Sequence, residues 1–162
     1  KHEEYMELAL EEARKAEEID EVPVGCVIVC GGEVISRGHN LKEQLNQAYA
    51  HAEMMAIQKA AEVKGNWCLN DCDLYVTLEP CMMCTGIINL SRIRTVYYGT
   101  TDPKGGCLET VIDLKKINRL NHYPNIVGNI LQKECSEILT NYFRKKREII
   151  KEKKQKNKAN IQ

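Results

Sequence analysis

Residues 74–90 read LYVTLEPCMMCTGIINL, and this stretch decides the kind of fold. Leu74-Tyr75-Val76-Thr77-Leu78 is a short run of β-branched, aromatic and apolar residues, which predicts a strand. Pro80 stands where a first helical turn begins, a position at which its missing N–H loses nothing. Met82 to Leu90 continues that helix. Working outward, Val24 to Cys30 predicts a buried strand, Gly31-Gly32 a turn, and Val34 to Ser36 the returning partner strand. Gly38 to Tyr49 lacks clean periodicity and reads as loop. Ala50 to Val63 has helical spacing of Ala52, Met55, Ala56, Ala60 and Val63, ended by Gly65-Asn66. Before all of these, residues 3–18 place Met6, Ala9, Leu10, Ala13 and Ala16 on one face and acids on the other. After them come a strand at Thr95 to Tyr98, a loop at Asp102-Pro103-Lys104-Gly105-Gly106, a short fifth strand at Ile126–Val127 and an amphipathic helix from about Gln132 to Ile150. Strands alternating with helices imply an α/β layer fold with a sheet covered on both faces.

The chain has 162 residues, enough for one domain with a core that needs no disulfides. Residues 1–150 are expected to form that domain. Residues 151–162 read as a basic C-terminal tail with no packing face, open to disorder. Formal net charge is +0, so the total does not announce a nucleic-acid partner. The distribution says more: the chain is acidic from Lys1 to Glu21 and basic from Asn141 to Gln162, and a basic end attracts phosphates. Eight cysteines would suit a disulfide framework in a secreted protein. Against that, the first residues are charged and carry no apolar leader, and Cys26 and Cys30 lie in the apolar run VPVGCVIVC. No apolar stretch is long enough to span a membrane. The expectation is a soluble cytoplasmic protein with reduced thiols.

Two short motifs carry the chemistry. His51-Ala52-Glu53 opens one helix and Pro80-Cys81-Met82-Met83-Cys84 opens another. H-x-E with P-C-x-x-C is the signature of zinc deaminases. The spacing has a physical reason. Cysteines three apart at a helix start lie on one turn, so both sulfurs reach one ion. The helix N-terminus and the metal both favour thiolate. With His51 as third ligand, one tetrahedral position stays open, which marks a catalytic zinc rather than a structural one. Water there has its pKa lowered from ~15.7 towards ~7. Glu53, two residues from His51, is placed to move protons as the general base and acid. Cys68-x3-Cys72 with Cys81-x2-Cys84 could form a four-cysteine structural site, but the strand between the pairs would hold them apart, and Cys68 and Cys72 read as packing residues. Redox use of Cys81 and Cys84 lacks any further thioredoxin-like feature.

Beyond these motifs, a longer series follows in order. It comprises Glu21-Val22-Pro23-Val24-Gly25, Gly38-His39-Asn40, His51-Ala52-Glu53-Met54, Thr77-Leu78-Glu79-Pro80-Cys81-Met82-Met83-Cys84, Ser91-Arg92-Ile93, Tyr98-Gly99, Asp102-Pro103-Lys104-Gly105-Gly106 and Asn121-His122. From about Tyr5 to Arg147 the chain resembles the bacterial tRNA-specific adenosine deaminases, within the cytidine/deoxycytidylate deaminase family. The resemblance implies a three-layer α/β/α cytidine-deaminase-like fold with a central five-stranded mixed sheet, one Zn2+ per chain and a homodimer. It also implies conversion of adenosine to inosine at the wobble position of a tRNA anticodon stem-loop, usually of an arginine tRNA. By the same resemblance Asn40 and the backbone of Ala52 face the flipped base. Asp102, Lys104 and Asn121 lie near anticodon nucleotides, and Phe143 and Arg147 belong to the same RNA surface. The sequence departs from the usual pattern at Gln47-Ala48-Tyr49, which bears on a pocket wall, and at Leu108-Glu109-Thr110. A deaminase of a free base or nucleoside such as guanine or cytosine is the alternative; the basic last helix favours RNA. A zinc-containing RNA-binding subunit without catalysis is the third reading, and Glu53 argues against it.

Overall fold

The structure, a computed structural model, describes residues 1–161. Helix α1 (His2–Glu18) leads into the hairpin β1 (Gly25–Cys30) and β2 (Glu33–His39). A short helix α2 (Lys42–Leu45) and helix α3 (Ala52–Lys64) follow, then β3 (Cys72–Leu78), α4 (Met82–Leu90), β4 (Thr95–Thr100), β5 (Asn125–Val127) and α5 (Gln132–Ile161). The strands form one five-stranded sheet in the order β2-β1-β3-β4-β5. β1 is antiparallel to both β2 and β3, whereas β3–β4 and β4–β5 are parallel, so the sheet is mixed.

Alternation along the strands builds three layers, because successive side chains point to opposite faces. Cys26 and Ile28 of β1 and Leu74 and Val76 of β3 pack with Ala56 and Ala60 of α3 and Ile88 of α4. Val27 and Val29 of β1 and Tyr75 of β3 pack instead with Met6, Ala9 and Leu10 of α1 and Cys135 of α5. The apolar face expected for the first helix is the buried one: Met6, Ala9, Leu10, Ala13 and Ala16 are all buried. Each such Leu or Ile taken out of water contributes roughly 1.5–3 kcal/mol.

Strands β2 to β5 run up to a few residues beyond the sequence reading, β2 reaching His39, and two larger differences stand out. The loop expected over Gly38 to Tyr49 contains the helical turn α2. Its first amides are held by the buried Glu21 carboxylate, which accepts from Glu43 N at 3.0 Å and Gln44 N at 2.7 Å. That clamp is a long-range contact with no local periodicity behind it. The last helix does not stop near Ile150. It runs as α5 to Ile161, because residues 151–161 contain no Gly or Pro and are mostly Lys, Glu, Gln, Asn and Ala.

The turns place the chemistry at one end of the sheet. Gly25 pairs with His39, Cys26 with Val76, and Leu78 with Thr100. The ends of β2, β3 and β4 and the start of β1 therefore lie together, the usual location of a crevice in an open α/β sheet.

Candidate active site

His51 and Cys81 are the N-cap residues of α3 and α4. Both have extended backbones, and neither side chain caps its own helix. Each carbonyl instead starts its helix, accepting from Met55 N and Thr85 N respectively. The imidazole and thiol are thereby free to point into the crevice. Cys84, one turn into α4, is buried beside them. His51 Nδ1 lies 3.5 Å from Cys81 Sγ and 3.6 Å from Cys84 Sγ. Tetrahedral bonds of ~2.0–2.1 Å to nitrogen and ~2.3 Å to sulfur would set such donors about 3.6 Å apart. The three residues fit one zinc, and they form the His/Cys/Cys group able to hold an ion.

Electrostatics agree with a cation there. A hydrogen bond from Cys84, aided by the His51 ring against the opposing effect of burial, lowers the Cys81 thiol to about 4. Cys84 is pushed far up, first by donating to Cys81 and then by burial. The pair competes over one proton, and a divalent cation between the sulfurs satisfies both as thiolates. Glu53, buried on the first turn of α3, is raised to about 7 by desolvation, with the Cys81 thiolate pushing the same way.

Gly38 of β2 fixes how close this helix comes. A Cβ there would sit 2.6 Å from Ala52 O and 2.7 Å from Ala56 N. Only a glycine lets β2 lie against the start of α3 and so position His51 and Glu53.

A cavity of about 190 Å³ adjoins the group, lined by Asn40, His51, Ala52, Glu53, Cys81 and Asp102 among others. Asn40 is held by its own bonds: Nδ2 donates to Val22 O at 3.3 Å, and Oδ1 accepts from Lys42 N at 3.1 Å. Val22, Leu78 and Asp102 also line a second, larger cleft of about 610 Å³, walled further by Lys104 from the loop and Phe143 and Arg147 from α5. Asn121 lines neither cavity and is exposed. Its segment is tied to the far end of α4, where Asn89 Nδ2 donates to the His122 carbonyl and His122 Nε2 meets Ile93 O at 2.7 Å. Cys81 is at the opposite end of that helix.

Residues 1–100 match the family described as the cytidine and deoxycytidylate deaminase zinc-binding region. The chain belongs to the cytidine and deoxycytidylate deaminase family. It is therefore a zinc-dependent deaminase by family, and His51, Cys81 and Cys84 are its candidate ligands. The tRNA-specific adenosine deaminase of Bacillus subtilis (strain 168) is 48% identical over 143 residues, covering 88% of this chain and 89% of that protein. The protein of the same name from Streptococcus pyogenes serotype M1 is 46% identical over 144 residues, covering 89% and 84%. A structure from biochemical and structural studies of A-to-I editing by tRNA:A34 deaminases at the wobble position of transfer RNA matches with TM-score 0.81 and 46% identity, over 84% of this chain and 99% of that one. The guanine deaminase of Bacillus subtilis shares the fold less closely, with TM-score 0.60 and 30% identity over 74% of this chain and 87% of that one. The five-stranded mixed sheet and its helices are those of this deaminase fold.

Sequence reasoning overlooked Glu79, the residue before Pro80-Cys81. It is buried and accepts five hydrogen bonds. Oε1 takes Asp102 N at 3.2 Å and Thr110 Oγ1 at 2.5 Å; Oε2 takes Leu108 N, Glu109 N and Thr110 N at 3.2, 2.9 and 3.1 Å. One carboxylate thus anchors the loop that carries Asp102 and Lys104 to the β3–α4 connection that carries Cys81. The only signal in the sequence was an acid at the end of an otherwise apolar strand.

Proposed function

We propose that the chain is a tRNA-specific adenosine deaminase that converts adenosine to inosine at the wobble position of the anticodon, with an arginine tRNA as substrate. The observation that carries this is the pair of adjoining cavities. The small one beside His51, Glu53 and Cys81 suits a single base. The larger one, sharing the wall of Val22, Leu78 and Asp102, is rimmed by Lys104, Phe143 and Arg147. Cations and an exposed aromatic ring suit phosphates and a neighbouring splayed base. A free base or nucleoside would leave that second cleft unused. The 46–48% identity to tRNA-specific deaminases points the same way.

In this reading His51, Cys81 and Cys84 hold the zinc, which supplies the Lewis acidity that makes a water nucleophilic near neutral pH. Glu53 takes the proton that the water gives up when its oxygen adds to C6 of adenine, and delivers it to N1. The same carboxylate then takes the proton of the hydroxyl now on C6 and passes it to the amino group, which leaves as ammonia as the C6 carbonyl forms. Water is consumed, inosine is formed, and nothing is oxidised. A carboxylate raised towards neutral pH suits both directions of transfer. Asn40, pre-set by Val22 and Lys42, orients the base, and the first-turn amide of Ala52, which has no partner within its helix, meets its edge. Asp102 and Lys104 position the nucleotides beside it, and Phe143 and Arg147 extend the contact. An anticodon loop suits such an enzyme because its bases are splayed at little expense.

The protein works as a homodimer in the cytoplasm. The outer face of α4 supports pairing. Met82 and Leu90 are 68% and 63% exposed there and flank an apolar hollow with Ile112, Leu114 and Ile117. No helix among the described residues is long and apolar enough to cross a membrane.

The test is to incubate the purified protein separately with unmodified arginine tRNA, adenosine, guanine and cytosine. Inosine at the wobble position of the tRNA alone supports the proposal. Ammonia from a free base or nucleoside, with the tRNA untouched, would replace it with the small-substrate reading.

A further inference from the structure

The end of the sheet away from the cavity carries a second group of donors. Cys30 closes β1, Cys72 opens β3, and the two are cross-strand partners. Cys72 N–H donates to Leu69 O at 3.0 Å and Cys72 C=O accepts from Arg94 N at 2.9 Å, so both its polar backbone groups point away from β1. Cys30 and Cys72 are therefore a non-hydrogen-bonded antiparallel pair, the kind in which the two Cα atoms approach to about 4.5 Å and the side chains lie closest. The preceding residue, Asp71, sets one carboxylate oxygen towards each sulfur. Cys30 Sγ lies 3.3 Å from Oδ2 and Cys72 Sγ lies 3.5 Å from Oδ1. All three donors fall within 4.8 Å of one another.

We propose that Cys30, Asp71 and Cys72 form a second metal site, for a thiophilic divalent cation of the zinc and cadmium class. Tetrahedral bonds of ~2.3 Å to sulfur and ~2.0–2.2 Å to oxygen place such donors about 3.6 Å apart, close to the two separations observed. Two thiolates with one carboxylate select softer cations over magnesium or calcium. A positive charge already sits against the group. Lys64, the last residue of α3, brings Nζ to 2.5 Å from Asp71 Oδ2 and 3.5 Å from Cys30 Sγ. Lys64 is half-buried on a long flexible arm, but its partner Asp71 is exposed, and an ion pair open to water on one side is weakly held. Uptake exchanges the two thiol protons, which pass to buffer, and the Lys64 contact for the cation. Paired strands on two sides and the Leu69–Cys72 turn on a third fix the donors in advance. Asp71 is exposed and gives the ion a way in. The site is separate from the His51 group and does not depend on the substrate assignment.

The experiment adds cadmium to protein that carries a single zinc per chain, purified under reducing conditions, with zinc and cadmium counted by elemental analysis after equilibrium dialysis. Wild type should bind one cadmium per chain beyond its retained zinc, with an ultraviolet sulfur-to-metal charge-transfer band. Cys30→Ser and Asp71→Asn, both short of the deeply buried core, should each weaken that uptake at least tenfold. Cys68→Ser, a nearby thiol outside the group, should leave it unchanged. Lys64→Gln should tighten it several-fold, an outcome that a purely structural role for the cluster would not give. Inosine formation should be unchanged in all four variants. Cadmium that only exchanges with zinc, or extra uptake that survives both Cys30→Ser and Asp71→Asn, would overturn the proposal. So would a Cys30–Cys72 disulfide found in the reduced preparation by peptide mass.

Discussion

Replacing Glu79 by Gln changes one atom and tests how the site is braced. The carboxylate satisfies five donors, three on Oε2 and two on Oε1. Glutamine keeps one oxygen. Its best placement leaves that oxygen with the amides of Leu108, Glu109 and Thr110 and turns its NH2 towards Asp102 N–H, donor against donor. The Thr110 hydroxyl can rotate to accept. A buried donor left unpaired costs ~1–3 kcal/mol, and the remaining bonds drop from charge-assisted to neutral strength, roughly 1 kcal/mol each before non-additivity. Discounted for that non-additivity, the loss is on the order of 3–5 kcal/mol. At ~2–4 °C per kcal/mol for a chain of this size, the Tm should fall by roughly 6–20 °C. Thermal unfolding of the zinc-loaded protein by circular dichroism measures it. The effect also has a pH signature. Burial pushes the Glu79 pKa up, but the hydrogen bonds from Thr110 and from the Glu109, Asp102 and Thr110 amides outweigh it, so the folded value lies below the ordinary 4.5. A depressed carboxylate stabilises the fold above its unfolded pKa, and that contribution fades as pH falls through the folded value. The gap between wild type and Glu79→Gln should be full near neutrality and narrow below about pH 4.5. A Tm within about 2 °C of wild type at neutral pH would refute the assignment of Glu79 as the brace.

Glu53→Ala should keep zinc content while turnover drops by at least ~10² to 10⁴; loss of zinc would make Glu53 a ligand instead. Lys104→Ala and Arg147→Ala should raise KM for tRNA with little change in kcat. Each should also make the dependence of log KM on log salt shallower by about 0.7, as for one lost contact to a single strand. Gly38→Ala drives a Cβ into the backbone of α3, so it should lower stability by ~1–3 kcal/mol and reduce activity out of proportion, read by denaturant unfolding beside the inosine assay.

What could be read in advance follows from the range of the forces involved. The strand at Leu74–Leu78, the helix after Pro80 and the buried face of Met6, Ala9 and Leu10 are local patterns of spacing and branching. The structure keeps all of them. His51, Cys81 and Cys84 were legible because metal chemistry limits donors to a few residue types at a few spacings. What escaped depends on contacts between distant segments. Glu21 capping α2 and Glu79 gathering residues 102–110 look like ordinary surface acids until the fold encloses them. Cys30 and Cys72 become neighbours only through the register of β1 with β3, which one residue of slippage would undo. Asn121 is expected near the anticodon nucleotides on resemblance alone, and its exposed position, set by the ties of its segment to Asn89 and Ile93, is a product of those distant contacts. The continuation of α5 past Ile150 comes from the absence of any helix breaker, a weaker signal than an apolar face.

The central claim is an ion held by three side chains with one coordination position left for water beside a carboxylate. Crystals of the zinc-loaded protein, with anomalous scattering measured at the zinc edge, test it directly. Zinc is expected bonded to His51 Nδ1, Cys81 Sγ and Cys84 Sγ, with a single non-protein ligand within hydrogen-bonding reach of Glu53. A fourth protein side chain on that zinc, or no zinc between these three residues, would contradict it.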